Sequence, residues 1–392
     1  MIEPDLQPTV LVITRNLPPL VGGMERLVWH IVDELRADYR VHVIGPQGCG
    51  KHLPDGVTVS EIPIKPMLLF LLRCKWAALV QALRLRPTWV LAGSGLTAPF
   101  AWFAARLVRA RCMVYVHGLD LIVQSVAYRI LWLPFIRRCD RTIANSHNTA
   151  QLAREAGVSA QRLRIVCPGT DMPQPDQEGA NRFRRSHKLG NAPLLLSVGR
   201  LTVRKGLSDF VRKSFPDIVR QFPDAILVVI GDEAQDALHR SAGSGRDVVL
   251  QAAEMSKVIP YIRLLGPCSE SMLNDAYEAA DVLVFPVLKV PGDVEGFGMV
   301  AIEAAAHGTP TVAFAAGGVP DAVAERVSGS LIAPGDYGEF ATAVRHWLDL
   351  RSNGDISISC REFASRFAWP RFGEQLRRAL SDDVTQVDKD IA

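Results

Sequence analysis

Two carboxylates, Glu295 and Glu303, lie in a stretch whose composition otherwise suits a buried helix. The stretch is GDVEGFGMVAIEAAAHGTP, residues 292–310, and seven residues separate the two side chains. A helix is expected to begin near Gly298 or Met299 and to end before the closing Gly-Thr-Pro, which places Glu295 in the entry loop. Glu303 then lies just over one turn into an apolar helix, where a partly buried carboxylate needs a partner such as a ligand hydroxyl. The alternative is a helix-dipole or ion-pair role for Glu303 and simple exposure for Glu295.

A group of cations follows a second apolar run. The loop GRLTVRKGL comes after the predicted strand LLLSVG at 194–199 and carries Arg200, Arg204 and Lys205. Cations beside a glycine-bounded helix N-terminus form a suitable clamp for a diphosphate. Solvated surface cations are the alternative, but the strand–loop–helix context favours binding.

Two loops in the first half of the chain carry further candidates. Gly22 and Gly23 immediately precede the helical run MERLVWHIVDEL, and backbone amides at such a junction favour an anion, although a flexible turn explains them equally well. Their spacing is not G-x-G-x-x-G, which counts against a dinucleotide-binding enzyme. His117 ends the apolar run CMVYVHG and would face a ligand crevice there. A satisfied structural histidine is the commoner outcome for a lone histidine, and both interpretations stay open.

The elements that must position these residues alternate along the chain. Short β-branched runs are separated by longer helical patterns, which predicts parallel sheets flanked by helices, with ligands beyond the carboxyl ends of the strands. Residues 172–193 are polar and proline-bearing and are interpreted as an interdomain connection. The fold class is therefore α/β, with two doubly wound Rossmann-like domains at 1–175 and 190–368 and a final helix and tail at 369–392.

Charge and cysteine content restrict the functional class. The net charge is only +3, but residues 1–172 hold 20 Lys and Arg against 12 Asp and Glu, which indicates an anionic partner such as phosphate, a membrane surface or nucleic acid. The seven cysteines include no C-x-x-C pair, so neither a zinc site nor a disulfide framework is indicated. The chain begins without an apolar targeting core and has no transmembrane-length apolar run, so we expect a cytoplasmic protein.

Motifs in a fixed order carry a family resemblance. GGMER, HGLD, CPGTD, GRLTVRKG, EGFGMVAIEAAAHGTPTVAF and GGVPDAV follow one another over nearly the whole chain. In this order they resemble the retaining glycosyltransferases of family 4, and the form DVEGFG resembles that of bacterial mannosyltransferases that build envelope glycolipids and polysaccharides. The resemblance implies the GT-B fold, in which two Rossmann-like domains face a central cleft. The family's usual P-N-G-x-D is C-P-G-T-D here, and we assign that segment no catalytic role.

The resemblance implies roles for the residues of the second half. Arg200 and Lys205 would hold the diphosphate of a nucleotide-sugar donor, and Glu303 would accept hydrogen bonds from the ribose. Glu295 would bind the hydroxyls of the donor sugar and act in catalysis. Nearby backbone amides would assist it, at Gly296, Phe297 and Gly298.

For the first half, the resemblance implies that His117 reaches the sugar from the opposite domain and that Gly22 and Gly23 approach the phosphates on closure. Enzymes of this fold generally need no metal or other cofactor. The predicted reaction is retaining transfer of a hexose, with mannose from GDP-mannose as the first choice of donor and a UDP-sugar as the second, to a lipid-linked or glycan acceptor. A nucleotide-sugar epimerase and a non-catalytic nucleotide-sugar-binding protein are the alternatives. Nucleic-acid binding lacks any recognition motif.

One apolar segment bears on the acceptor. Residues 65–86, KPMLLFLLRCKWAALVQALRLR, are rich in Leu and Trp, with the embedded cations Arg73, Lys75, Arg84 and Arg86. This composition suits the interface of an anionic membrane, and an ordinary buried crossover helix is the equally weighted alternative. The basic first half favours peripheral contact with the inner face of the plasma membrane.

Overall fold

The structure, a computed structural model, describes residues 7–232 and 245–381 of the chain. The chain divides into two compact units. One contains the residues up to Gly169 together with those from Trp369 onward, and the other is Thr170–Ala368. Of the tail predicted within 369–392, residues 382–392 lie outside the described part.

The first unit is built on a sheet that has seven strands among the described residues, all paired in parallel. They are β1 (Thr9–Ile13), β2 (Arg40–Pro46), β3 (Thr58–Ile62), β4 (Trp89–Ala92), β5 (Arg111–Val116), β6 (Arg141–Ala144) and β7 (Leu163–Ile165). Their order is β3-β2-β1-β4-β5-β6-β7. The central strands are buried along nearly their whole length, as expected for a parallel sheet covered by helices on both faces.

Helices cross over this sheet between its strands. They are α1 (Gly23–Leu35), α2 (Met67–Leu85), α3 (Ala98–Val108), α4 (Leu119–Ile122), α5 (Val126–Leu131), α6 (Leu133–Arg138) and α7 (His147–Glu155). The pattern of α1 explains its place, because its buried residues recur at three- and four-residue spacing and form one apolar stripe. A core cluster joins the inner faces of α2 and α3 to the central strands.

The second unit contains a six-stranded parallel sheet in the described part of the chain. Its strands are β8 (Leu194–Val198), β9 (Ile226–Ile230), β10 (Ile262–Gly266), β11 (Val282–Phe285), β12 (Thr311–Phe314) and β13 (Gly329–Ile332). Their order is β10-β9-β8-β11-β12-β13. The chain therefore builds outward from β8 in one direction and then returns to its other side at β11, which makes the β8–β11 boundary a topological switch point.

Helices flank this sheet, and the first of them lies within the stretch interpreted as an interdomain connection. They are α8 (Gln177–Ser186), α9 (Leu207–Lys213), α10 (Phe215–Gln221), α11 (Arg246–Met255), α12 (Glu270–Ala279), α13 (Met299–Ala306), α14 (Val319–Ala322), α15 (Tyr337–Asp349) and α16 (Gly354–Ser365). The interpretation of residues 172–193 as an interdomain connection is wrong for the part that forms α8. This helix buries Ala180 and Phe183 against the second core, and Arg182 binds Asp275 of α12 through both carboxylate oxygens, at 2.6 and 2.8 Å.

The last described helix, α17 (Trp369–Leu380), belongs to the first unit. It packs against α1, where the rings of Trp369 and His30 stack with centroids 3.6 Å apart. Arg377 Nη1 also lies 3.1 Å from Glu34 Oε2. The predicted fold class is confirmed: both sheets are parallel, doubly wound and flanked by helices.

Candidate functional site

The switch point of the second sheet brings two distant loops together. The cation loop follows β8 and the Glu295 loop follows β11, and these strands are neighbours in the sheet. The two loops are joined directly, because the backbone N–H of Leu288 donates to the carbonyl of Arg204 at 2.8 Å. Gly206, at φ +67°, ends the cation loop and lies against the Pro286 carbonyl so closely that a side chain would clash. The sheet order thus positions this site.

An ionic cluster occupies the junction of these loops. Lys205 Nζ lies 2.8 Å from Glu295 Oε2, and Arg204 Nη1 binds the same oxygen. Arg204 Nε makes a second ion pair with Asp293 Oδ1 at 2.9 Å. The Arg204 and Glu295 side chains are only 7% and 14% exposed, so two cations and two carboxylates compensate one another in a largely dry site.

The electrostatics of the cluster keep Glu295 ionised. Burial alone would raise the pKa of its carboxyl group, but the charges of Lys205 and Arg204 lower that pKa to about 2. Burial lowers the pKa of Lys205, and the opposing attraction of Glu295 offsets only part of this effect. The charges of Arg204 and of the exposed Arg200 lower the Lys205 pKa further. Glu295 is therefore a permanent anion that can accept hydrogen bonds at neutral pH.

The glycines around Glu295 allow close packing of its loop. Gly298, which precedes α13, has φ +101°, and a Cβ atom there would lie 2.9 Å from the ring of Phe285. The carbonyl of Glu295 accepts a hydrogen bond from the backbone N–H of Gly318 at 2.9 Å. Phe285 also faces Lys205, whose Nζ lies 4.7 Å from the ring centroid. The helix begins at Met299, as predicted.

Glu303 is buried in α13, with 8% of its surface exposed, as the sequence indicated. One of its partners is a side chain that the sequence offered no reason to select: the hydroxyl of Tyr277, on α12, donates to Glu303 Oε2 at 2.8 Å. His307 Nδ1 donates to the backbone carbonyl of Glu303 at 2.9 Å. Tyr277 of α12 thus holds the side chain of Glu303, and His307, just after α13, holds its backbone carbonyl.

In the first unit, His117 lies just beyond the end of β5, next to the loop that follows β4. Its Nε2 lies 2.9 Å from the carbonyl oxygen of Gly93, and because a carbonyl only accepts, Nε2 carries the proton. The backbone N–H of His117 donates to Asp120 Oδ2 at 3.0 Å. The side chain is 7% exposed, and these contacts fix its ring, which is compatible with both a structural and a functional role.

The glycine pair of the first unit opens α1. Gly23 is the first residue of the helix and Gly22 precedes it. Glu25, in the first helical turn, places its carboxylate next to Gly22 and accepts a 2.7 Å hydrogen bond from Asn16 Nδ2 on the other side of the loop. The positive end of this helix is therefore partly compensated by a carboxylate that the sequence analysis did not select.

The predicted site residues are divided between the two units. Lys205 and Glu295 are in direct contact, Arg204 joins them, and Arg200 is exposed on the same loop. The remaining candidates, His117 and the glycine pair, belong to the other unit. Within the described residues, no group of three or more His, Cys, Asp or Glu side chains is arranged to hold a metal ion.

Known proteins match both parts of the chain. Residues 21–173 match the model of Glycosyltransferase Family 4, and residues 180–364 match that of Glycosyl transferases group 1. The GDP-mannose-dependent alpha-(1-6)-phosphatidylinositol monomannoside mannosyltransferase of Mycolicibacterium smegmatis is 27% identical over 95% of this chain and 98% of its own length. D-inositol 3-phosphate glycosyltransferase 2 of Catenulispora acidiphila is 33% identical over 59% of this chain, and the match spans about half of that protein, 53%.

Solved structures share the fold at lower identity. HepE of Anabaena, in complex with UDP and glucose, superposes with a TM-score of 0.77 at 20% identity, covering 95% of this chain and 99% of that chain. A glycosyltransferase from Rickettsia africae gives a TM-score of 0.78 at 16% identity, covering 96% and 99%.

Proposed function

Because this chain belongs to the family 4 glycosyltransferases with the GT-B fold, we propose that it transfers a hexose from a nucleotide-sugar to an acceptor with retention of configuration at the anomeric carbon. The observation that carries the proposal is the cluster of Arg204, Lys205 and Glu295 at the switch point of the second sheet. In open parallel sheets this is where ligands bind.

Lys205 and Arg200 bind the diphosphate of the donor. The negative charge on that diphosphate grows as the bond to the sugar breaks, and fixed cations stabilise such charge most when they need no rearrangement. The ion pair with Glu295 holds Lys205 in position before the donor arrives. We assign the neutralisation of the leaving group to these side chains and propose that no metal is required.

Glu295 and Glu303 recognise different parts of the donor. Glu295 is ionised and accepts hydrogen bonds from the sugar hydroxyls, with help from backbone amides in the loop Gly296–Gly298. Glu303, on the helix that begins immediately afterwards, accepts hydrogen bonds from the ribose. Both assignments come from the family resemblance, and the burial of the two carboxylates supports them.

In the proposed reaction, the bond between the anomeric carbon and the diphosphate oxygen breaks, and the acceptor oxygen bonds to the same face of that carbon. The acceptor proton passes to the departing phosphate oxygen. The family resemblance assigns His117 to the sugar, and within the first unit its ring is fixed by the Gly93 carbonyl. Gly22 and Gly23 approach the phosphates.

The donor is proposed to be GDP-mannose, with a UDP-sugar as the second choice. A relative matched over nearly its whole length is named for GDP-mannose, whereas HepE, which shares the fold, is complexed with UDP and glucose. Thermal-shift measurements with GDP-mannose, UDP-glucose and free GDP and UDP test this choice, because only nucleotides that carry the correct base should raise the melting temperature by several degrees. Failure of every nucleotide to stabilise the protein would contradict the proposal.

Slow hydrolysis of the donor separates a transferase from its alternatives. A transferase should release free sugar and nucleotide diphosphate slowly in the absence of acceptor, whereas a binding protein should release neither. An epimerase would change the sugar without consuming an acceptor. We propose a lipid-linked or glycan acceptor, because the mycolicibacterial relative is named for a phosphatidylinositol monomannoside.

The α2 helix supports a lipid-bound location. One face enters the core through the buried residues Phe70, Cys74, Ala78 and Ala82. The opposite face is apolar but exposed, at Leu68 (71%), Leu72 (58%), Trp76 (71%) and Leu83 (55%). The buried face agrees with a crossover helix, and the exposed apolar face supports the proposal of a membrane contact.

Exposed cations flank that apolar stripe. Arg73 and Arg84 lie on one side of it and Lys75 on the other, by the 100° rotation per residue of a helix. Phe103 and Leu107 of α3, which packs beside α2, are also exposed. We propose that this surface docks on anionic lipid at the inner face of the plasma membrane. No helix among the described residues is long and apolar enough to cross a bilayer.

A further inference from the structure

Glu303 and Tyr277 form a buried pair, and the proposed function gives a role to Glu303 but none to Tyr277. The Tyr277 side chain is 1% exposed, and its hydroxyl donates to Glu303 Oε2 at 2.8 Å. The two residues lie on different helices, α12 and α13, 26 positions apart. A tyrosine hydroxyl this deep needs a partner, and a carboxylate that accepts its hydrogen is fixed in orientation.

Tyr277 is itself fixed at its backbone and its ring. Its carbonyl accepts a 2.9 Å hydrogen bond from the hydroxyl of Thr309. Its ring stacks with that of His307, with centroids 5.2 Å apart and planes 26° apart. His307 in turn bonds to the Glu303 carbonyl, so one aromatic pair supports both the side chain and the backbone of Glu303.

Arg361 of α16 binds the C-terminal end of α13. Its Nη2 donates to the carbonyl of His307 at 2.9 Å and pairs with Glu278 Oε1 at 2.8 Å. Its Nη1 donates to the carbonyl of Ala306 at 2.8 Å. The last carbonyls of α13 are thereby satisfied by a cation, which fixes the C-terminal end of the helix that carries Glu303.

We propose that Tyr277 is a positioning residue for recognition of the ribose diol of the donor nucleotide. This inference rests on the proposed function, in which Glu303 accepts hydrogen bonds from the ribose hydroxyls. By binding Oε2 from within the protein, Tyr277 holds the plane of the carboxylate so that its remaining lone pairs meet a vicinal diol without reorientation. Without that hydroxyl, the carboxylate loses a fixed contact and discriminates less well between ribose and a sugar that lacks the diol.

The test compares nucleotides with and without the diol. The affinities of GDP and of UDP are measured by calorimetry beside those of their 2′,3′-dideoxy forms, for the wild-type protein and for Tyr277→Phe. The preference of the wild type for the ribonucleotide should fall about tenfold in Tyr277→Phe, the loss of one hydrogen bond to a charged group. Affinity for the dideoxy nucleotide should change less than about twofold.

A matched control is available in the same unit. The hydroxyl of Tyr337 also bonds to a carboxylate, Asp209 Oδ2, at 3.1 Å, so Tyr337→Phe removes a similar bond elsewhere and should leave the ribose preference unchanged. In a Glu303→Gln background, Tyr277→Phe should have almost no further effect. If Tyr277→Phe does not fold, Thr309→Val should lower the ribose preference through the same pair.

The outcomes are distinguishable. A Tyr277→Phe protein that keeps its full ribose preference would overturn the positioning role, and so would an equal loss of affinity for both nucleotide forms. A wild-type protein that binds neither GDP nor UDP would overturn the proposed function itself. Wild-type binding without any preference for the diol would overturn the ribose role of Glu303 and, with it, that of Tyr277.

Discussion

Lys205 Nζ lies 2.8 Å from Glu295 Oε2, although the two residues are 90 positions apart in the chain. The contact exists because β8 and β11 are adjacent in the sheet, so that the loops leaving their carboxyl ends meet. Arg204 completes the junction by binding Glu295 and Asp293 together. The cation proposed to bind phosphate and the carboxylate proposed to bind sugar therefore stabilise one another within the second unit.

Replacement of Lys205 by Ala should abolish donor turnover. The variant loses a buried cation proposed to bind the diphosphate, and we expect kcat/KM for donor hydrolysis to fall at least about 100-fold, as for other groups that stabilise a leaving anion. Lys213→Ala is the control, because Lys213 pairs with Asp209 on the same unit but outside the cluster. Equal turnover by wild type and Lys205→Ala would contradict the assigned role.

The stability of the Glu295 cluster should depend on pH. Since the folded pKa of Glu295, about 2, lies below its unfolded value near 4.5, its contribution to stability is fully present above pH 4.5 and is lost as the pH falls toward 2. Glu295→Gln should lower the free energy of unfolding by on the order of 3 kcal/mol at pH 7, because it leaves buried cations undercompensated. Urea unfolding of the wild type and of Glu295→Gln at pH 7 and pH 3 measures the difference in their free energies of unfolding. This difference should be smaller by about half at pH 3. A difference that does not change with pH would count against the ion pairs.

His117→Ala should reduce turnover more than donor affinity. A group that contacts the reacting sugar should lower kcat by about 100-fold, with little change in the KM for the donor. His42→Gln is a suitable control, because the ring of His42 bonds to Thr58 and Ser60 within the same sheet. If His117→Ala lowers only the melting temperature and leaves kcat unchanged, the residue is structural.

The exposed face of α2 should determine vesicle binding. Leu72→Ser combined with Trp76→Ser removes two large apolar side chains, and co-sedimentation with anionic vesicles should weaken at least about tenfold. Neutral vesicles should bind the wild type more weakly than anionic ones, because the flanking cations contribute. Ile358→Ser, at a residue 58% exposed on the other unit, should have no effect. A wild-type protein that binds neither vesicle would remove the membrane role.

Most of the fold was predictable from the sequence because its strands are short apolar runs bounded by Gly, Pro or charged residues. The structure places the strand Leu194–Val198 and the helix Met299–Ala306 within a few residues of their predicted limits. Helix α8 escaped prediction because it buries few apolar side chains, Ala180 and Phe183 among them, and is stabilised by Arg182 through an aspartate 93 positions away. The spacing of residues within α8 gives no indication of a partner so distant in the sequence.

The sequence predicted which loops carry the candidate site but not which side chains contact one another there. Position at the carboxyl end of a strand was enough to select Lys205 and Glu295. The burial of Arg204 and its bond to Asp293 depend on how two loops cross, which no local spacing encodes. Tyr277 lies in the last turn of α12, where no local spacing pattern marks it, so only the packed structure reveals its contact with Glu303.

The stereochemistry of the reaction tests the central claim most directly. Donor with an α-linked sugar is incubated with the enzyme, and the anomeric proton and carbon of the first-formed product are followed by NMR before mutarotation. Family 4 chemistry at the Lys205–Glu295 site predicts an α-configured product. A β-configured product, formed by inversion, would contradict the account.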